Sequence, residues 1–185
     1  GIGNTRFQSA DAAGMTADDV PRLKVKWAFG VPGVSTMSGQ PVVADGRLFF
    51  GTFSGLIIAL DAKTGRIVWQ SQVGDVKRGF SSTSGTMAMN GKILQGLTGC
   101  TSFKLEGCYI SAWDAETGKE AWKFYTIARE GTPGGDTWGT LGNLFRAGGD
   151  TWIAGSYDPE LNRTYWGVSQ AKPWMRVSRG SKVGD

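Results

Sequence analysis

The apolar residues of this chain fall in short runs broken by polar turns, and one such arrangement sets the rest. Leu56–Leu60 is apolar throughout, Asp61-Ala62-Lys63-Thr64-Gly65 interrupts it, and Arg66–Trp69 resumes the pattern. This reads as a strand, a tight turn and a second strand. Asp61 can fold its carboxylate onto backbone N–H groups a few residues on, and Gly65 can take the positive φ that closes the turn. The layout returns at Ile110–Trp122. Asp61 and Asp114 are 53 positions apart, and so are Trp69 and Trp122. The hairpin is therefore one part of a repeat unit.

Around it the same parts recur. Gln40–Val43 reads as a strand, Asp45-Gly46 as a two-residue turn and Arg47–Thr52 as the next strand. Gly85–Met89, Asn90-Gly91 and Lys92–Leu97 repeat that hairpin, and Cys108–Asp114 and Lys119–Tyr125 complete the second unit after an inserted loop, Thr98–Gly107. A third unit is partial: a Gly-rich loop over 130–149, then Thr151–Tyr157 and Arg163–Val168 as strands about an Asp158–Asn162 turn. Before the first repeat, Leu23–Phe29 alternates like a strand. Thr16 can cap a short helix with Asp18 and Asp19 in its first turn, interrupted at Pro21.

Four-stranded units that each end in Trp predict an all-β fold, a β-propeller of antiparallel blades. The segmentation is 1–39 as an N-terminal segment and strand, 40–75 and 76–128 as blades, and 129–185 as a partial blade with its Gly-rich loop. A single blade cannot bury both its apolar faces, so blades must stack. Two and a half to three blades leave an apolar flank for further blades or self-association to cover.

Composition narrows the chemistry. The chain has 185 residues, 29 of them Gly and eight Trp, with 40% hydrophobic residues and a net charge of +4. The charge is scattered, which suits a solvated surface or weak steering of an acidic partner and argues against nucleic-acid binding. With no histidine, Ser-His-Asp and Cys-His catalysis and His-ligated metal sites are excluded. Two cysteines make a thiolate zinc site implausible, and no stretch approaches the ~20 apolar residues of a membrane-spanning helix.

The Ala59–Gly65 turn with Trp69, and its copy ending at Trp122, resemble the tryptophan-docking repeats of quinoprotein dehydrogenases, eight-bladed propellers that hold pyrroloquinoline quinone (PQQ). The third unit resembles PQQ-dependent alcohol dehydrogenases of the methanol and ethanol dehydrogenase type more specifically, through Pro133–Gly139, Gly148-Gly149-Asp150-Thr151-Trp152, Gly155–Asn162 and Tyr165-Trp166-Gly167. Asn4-Thr5-Arg6-Phe7 resembles the family's N-terminal segment. On this resemblance the chain is an N-terminal fragment or a shortened member, inactive alone. The implied activity is oxidation of alcohols, or of related polyols or sugars, with electrons passed to a cytochrome c-type acceptor in the periplasm.

The resemblance assigns cofactor-binding positions one by one. Trp152 is the stacking floor under PQQ, or otherwise one more blade-packing Trp. Thr83, within Ser82-Thr83-Ser84-Gly85, offers a hydroxyl to the cofactor carboxylates, and Thr98 and Gly99 form a loop approaching the ring; both segments also read as plain turns. Ca²⁺ is possible, but its ligand set is not evident. Cys100-Thr101-Ser102-Phe103 stands where methanol-dehydrogenase-like members place a Glu, Glu106 is out of register, and Gln170 replaces an Asn. The vicinal cysteines of the family are missing, as is their Arg unless Arg78 replaces it, and no residue is assigned as catalytic base. Cys100 and Cys108 flank the inserted loop and either bridge, as an oxidising compartment favours, or stay free. Two other readings share the fold: a non-catalytic periplasmic scaffold resembling outer-membrane assembly factors, and a polysaccharide-binding lectin. The Gly-Gly-Asp-Thr-Trp segment discriminates, because a scaffold has no need of it.

Overall fold

Strand pairing follows the apolar runs. In the computed structural model, which describes residues 9–101 and 103–179, Val42–Ala44 (β1), Arg47–Gly51 (β2), Leu56–Asp61 (β3) and Ile67–Gln72 (β4) form one antiparallel sheet in chain order. Met87–Met89 (β5), Lys92–Gln95 (β6), Tyr109–Asp114 (β7) and Glu120–Tyr125 (β8) form a second with the same order. The chain divides into two compact units, Gly1–Gly30 and Val31–Asp185. The Asn4–Phe7 motif and Ser102 lie outside the described residues.

The two turns that define the repeat form by the same bonds. Asp61 Oδ1 accepts from Lys63 N at 3.0 Å, Thr64 N at 2.7 Å and Thr64 Oγ1 at 2.8 Å. Asp114 Oδ1 accepts from Glu116 N at 3.2 Å and from Thr117 N and Oγ1 at 2.8 Å each. Each strand ladder slips by one residue at the matching place, between Ala59 and Leu60 and between Ala112 and Trp113. That bulge twists the strand locally and aims the turn outward from the sheet.

The second turn receives the first sheet. Trp69 Nε1 donates to Ala115 O at 3.0 Å, Arg47 donates to the same carbonyl at 2.8 Å, and Ser71 Oγ donates to Gly118 O at 2.6 Å. The indole lies on Gly118, where an added Cβ would come within 2.5 Å of Trp69 Cδ2. Around this dock Phe49, Ile57, Trp69, Val73, Ile93, Leu97 and Trp113 close into one core. Trp122, the counterpart of Trp69, is 38% exposed on a β8 whose residues all face solvent.

Two segments depart from expectation. The third unit keeps its expected hairpin about the Asp158–Asn162 turn only in shortened form: Ala147–Gly148 (β9) pairs with Ala171–Lys172 (β12), an addition, and Ser156–Asp158 (β10) with Arg163–Tyr165 (β11), before a short helix at Arg176–Arg179. Thr151 leaves the strand pattern because its backbone N–H is already given to Leu97 O at 2.9 Å. In the N-terminal unit Leu23–Phe29 joins no strand ladder, since alternation supplies an apolar face and not a pairing partner. A helical turn over Ala10–Ala13, capped by Ser9, precedes a 3₁₀ turn at Ala17–Arg22. Asp19 caps that turn by accepting from Thr16 N and Oγ1 at 2.8 and 2.9 Å, and Pro21 sits inside it instead of ending it.

The dock predicts a contrast between two glycines of similar φ, +70° at Gly118 and +67° at Gly91. Gly91→Ala meets open space and should cost ~1 kcal/mol from backbone strain alone, whereas Gly118→Ala also collides with the Trp69 ring and should cost ~3 kcal/mol. Urea denaturation of both variants reads the difference; equal losses would mean that the dock contributes little.

Candidate functional site

The inserted loop of the second sheet is the place where three parts of the chain converge. After β6 the chain runs through Gly96-Leu97-Thr98-Gly99-Cys100, loops out and returns at Cys108. Cys100 and Cys108 form a disulfide, with Cα atoms 5.4 Å apart and both side chains buried. The bridge that their spacing allowed is thus present.

Two further segments clamp this stretch from either side. Ser81 pairs with Thr98 through backbone bonds of 2.9 and 3.2 Å, and the two hydroxyls lie 2.9 Å apart. From Ser81 the chain runs on with Ser82 and Ser84 buried and Thr83 only partly so. On the other side, Thr151 Oγ1 accepts from Leu97 N at 2.8 Å, and Trp152 follows with its indole 54% exposed. Thr98, Gly99, Thr83 and Trp152 therefore lie on three adjacent segments held together by named bonds.

Gly99 has a specific reason to be glycine. Its φ is +90°, and the space a side chain would fill belongs to Gly79 O. Both its backbone groups are engaged inside the protein: the N–H donates to Asp150 Oδ1 at 2.9 Å and the carbonyl accepts from Lys104 Nζ at 2.6 Å. Gly99 thus acts as a joint that positions its charged neighbours.

Those neighbours were not singled out by sequence reasoning. Asp150 is 4% exposed; its Oδ1 also accepts from Cys100 N at 3.2 Å, and its Oδ2 receives Lys172 Nζ at 2.8 Å and Ser169 Oγ at 3.4 Å. Burial pushes its carboxyl up, but the Lys172 ammonium and the Cys100 and Gly99 N–H groups outweigh this and hold it below the usual range. Lys104 lies 4.4 Å over the Phe80 ring, and burial, with Arg78 and Lys172 nearby, pushes its ammonium down. Arg78 is ion-paired to Glu106, which removes that carboxylate from the loop interior. The only signal in the sequence for Asp150 was its place in Gly148–Trp152; Lys172 and Lys104 had none.

The Gly-rich approach loop is ordered by two arginines. Arg146, 3% exposed, donates to Leu141 O at 2.7 Å and Gly135 O at 2.8 Å, and Arg129 donates to Arg146 O at 3.1 Å. The loop therefore forms a fixed shoulder leading into the Gly148–Trp152 segment.

Four-stranded sheets docked Trp-to-turn, the second carrying this clamped loop between β6 and β7, define a β-propeller protein. The chain belongs to the glucose/ethanol/alcohol dehydrogenase β-propeller family, whose profile matches residues 71–181. The profile of the outer membrane protein assembly factor BamB matches residues 4–123, the part that stops short of Gly148–Trp152. The chain is 37% identical over 153 residues to quinohemoprotein alcohol dehydrogenase ADH IIB of Pseudomonas putida, covering 75% of this chain and 21% of that one. It is 32% identical over 215 residues to the dehydrogenase subunit of the quinone alcohol dehydrogenase of Gluconobacter oxydans, covering all of this chain and 28% of that one. A europium-containing methanol dehydrogenase superposes with a TM-score of 0.65 at 29% identity over 76% of this chain and 27% of its own. The chain thus spans about a quarter of the length of these relatives.

Asp150 predicts a pH response. A carboxyl held below its unfolded value of about 3.9 stabilises the fold fully above that pH and loses this contribution as pH falls through the lower folded value. Asp150→Asn should cost ~2–4 kcal/mol at neutral pH by leaving Lys172 unpaired. The difference from the parent chain should shrink below pH 4 in urea denaturation. A pH-independent difference would show that the carboxylate charge is not what matters.

Proposed function

We propose that this chain forms the floor and rim of the PQQ site of a quinoprotein alcohol dehydrogenase. Trp152 is the stacking face, Thr83 and Thr98 offer hydroxyls to the cofactor's polar edge, and Gly99 holds the rim in shape. The observation that carries the reading is Trp152 itself: a large indole left 54% exposed at the end of a segment whose two preceding residues, Asp150 and Thr151, are buried and bonded to the second sheet. A rigidly mounted, exposed aromatic face suits a planar ring system, and the Thr98 hydroxyl, with the Lys104 ammonium on the carbonyl of the next residue, suits carboxylates.

Bound PQQ would supply the two-electron oxidation of an alcohol, or of a related polyol or sugar. What the chain's own residues do is bind and orient. Thr98 is held on Ser81, so its hydroxyl is fixed in direction before a ligand arrives. The disulfide keeps the loop closed beneath it. No residue of this chain is assigned the catalytic base. Passage of electrons to a cytochrome c-type acceptor and a periplasmic location follow from the same reading; the Cys100–Cys108 bridge supports an oxidising compartment. No helix among the described residues is long and apolar enough to cross a membrane.

Titration of the chain with PQQ, followed by tryptophan fluorescence, tests this. Saturable quenching is expected, and Trp152→Ala should weaken binding roughly tenfold while Trp152→Phe retains part of it. Quenching that is absent, or identical in the alanine variant, would remove Trp152 from the site.

A further inference from the structure

Cations surround the loop at Thr98, and the one buried carboxylate packed against it has nothing left for a metal. A hard ion such as Ca²⁺ is held by six to eight oxygens, carboxylates among them. Among the described residues the one metal-ligating cluster is Cys100, Cys108 and Asp150. Its two sulfurs are joined as a disulfide. An ionised carboxylate offers about four lone-pair sites, and Asp150 uses them on Gly99 N, Cys100 N, Lys172 Nζ and Ser169 Oγ. Glu106, the other carboxylate of the loop, is tied to Arg78 on the surface. Cys100-Thr101-Ser102-Phe103, the stretch where the family resemblance expects a Glu, brings no carboxylate. Among the described residues, those around this loop leave no free carboxylate for a divalent or trivalent ion and so do not fit one.

They do fit an anion. Arg78, Lys104 and Lys172 set three positive charges against the carboxylates of Glu106 and Asp150, which leaves an excess of one. Lys172 is fixed by Asp150, two residues before Trp152, yet its side chain keeps 25% exposure. It opens onto a recess of about 310 Å³ shared with Thr101, Pro173 and Trp174. An ammonium has three protons, so Lys172 can hold Asp150 and still donate to a ligand.

We propose that the Lys172 ammonium, seated on Asp150 and reinforced by Lys104, stands in for a metal ion, so that this chain binds the carboxylates of its quinone cofactor without Ca²⁺ or a lanthanide. This rests on the cofactor reading above and adds to it the nature of the cation. A built-in ammonium supplies positive charge and directional donors. It has no vacant coordination positions, so orientation of the ring falls to Trp152 and the hydroxyls.

The test is PQQ titration of the 185-residue chain in EDTA and again in excess CaCl₂ or LaCl₃, with each metal titrated into PQQ alone as a blank. The affinity should be the same within about twofold in all three media. Lys172→Gln should weaken it roughly tenfold and Lys172→Arg should restore most of the loss. Because Lys172→Gln strands Asp150, the double variant Lys172→Gln/Asp150→Asn serves as the fold-neutral control and should show the same weakening. Calorimetric titration with CaCl₂ or LaCl₃ alone should give no saturable binding. Binding of PQQ only when metal is present would overturn the inference and leave the cofactor reading standing, as would unchanged affinity in the lysine variants. Failure to bind PQQ in any medium would overturn the cofactor reading itself.

Discussion

The contact between Trp69 and the Asp114–Gly118 turn is the constraint on which the rest depends. It joins a side chain from the last strand of one sheet to a backbone corner of the next, through one indole hydrogen bond and a ring lying flat on a glycine. Burying the ring adds ~2–3 kcal/mol of apolar transfer to that bond. With the two sheets held in this register, Leu97 and Cys100 come under the same core as Trp69. The stretch between them, Thr98-Gly99, is thereby presented just past the end of β6 for other segments to clamp. The site is thus a consequence of blade docking, assembled where a loop leaves the docked pair.

That origin explains the balance of rigid and open parts. Thr151 is bonded to Leu97, Asp150 to Gly99 and Cys100, and Ser81 to Thr98, all on a loop closed by a disulfide. Against this frame Trp152 is exposed and Lys172 half so. In the proposed reading, the groups that would meet a ligand stay reachable while their anchors are buried, the arrangement expected where a protein orients a cofactor that performs the chemistry. The same logic leaves Trp122 as a second docking residue with an exposed ring, equivalent to Trp69 and facing outward.

The repeat was legible in the sequence because local chemistry dictates it. Asp61 and Asp114 cap their own turns, Asn90-Gly91 closes a hairpin, and apolar runs supply the strands, all within a few residues. Thr83, Thr98, Gly99 and Trp152 could be nominated only through the family resemblance that their short motifs carry. Asp150, Lys104 and Lys172 could not, because their partnership spans loops distant in the chain and leaves no periodic trace. Leu23–Phe29 shows the converse: an alternating pattern needs a neighbouring edge to become a strand. Thr151 left its expected strand because Leu97 took its hydrogen bonds, a tertiary contact outweighing local preference.

In the proposed site a planar quinone lies on Trp152 with its carboxylates on a lysine and not on a metal ion. A crystal structure of the chain soaked with PQQ and a lanthanide salt tests this in one experiment, because anomalous scattering locates the metal independently of the cofactor. The expected result is PQQ density parallel to the Trp152 indole, a carboxylate within hydrogen-bond distance of Lys172 Nζ, and no anomalous peak between them. Cofactor density away from Trp152, or a lanthanide coordinated beside Gln170 and the ring, would contradict it.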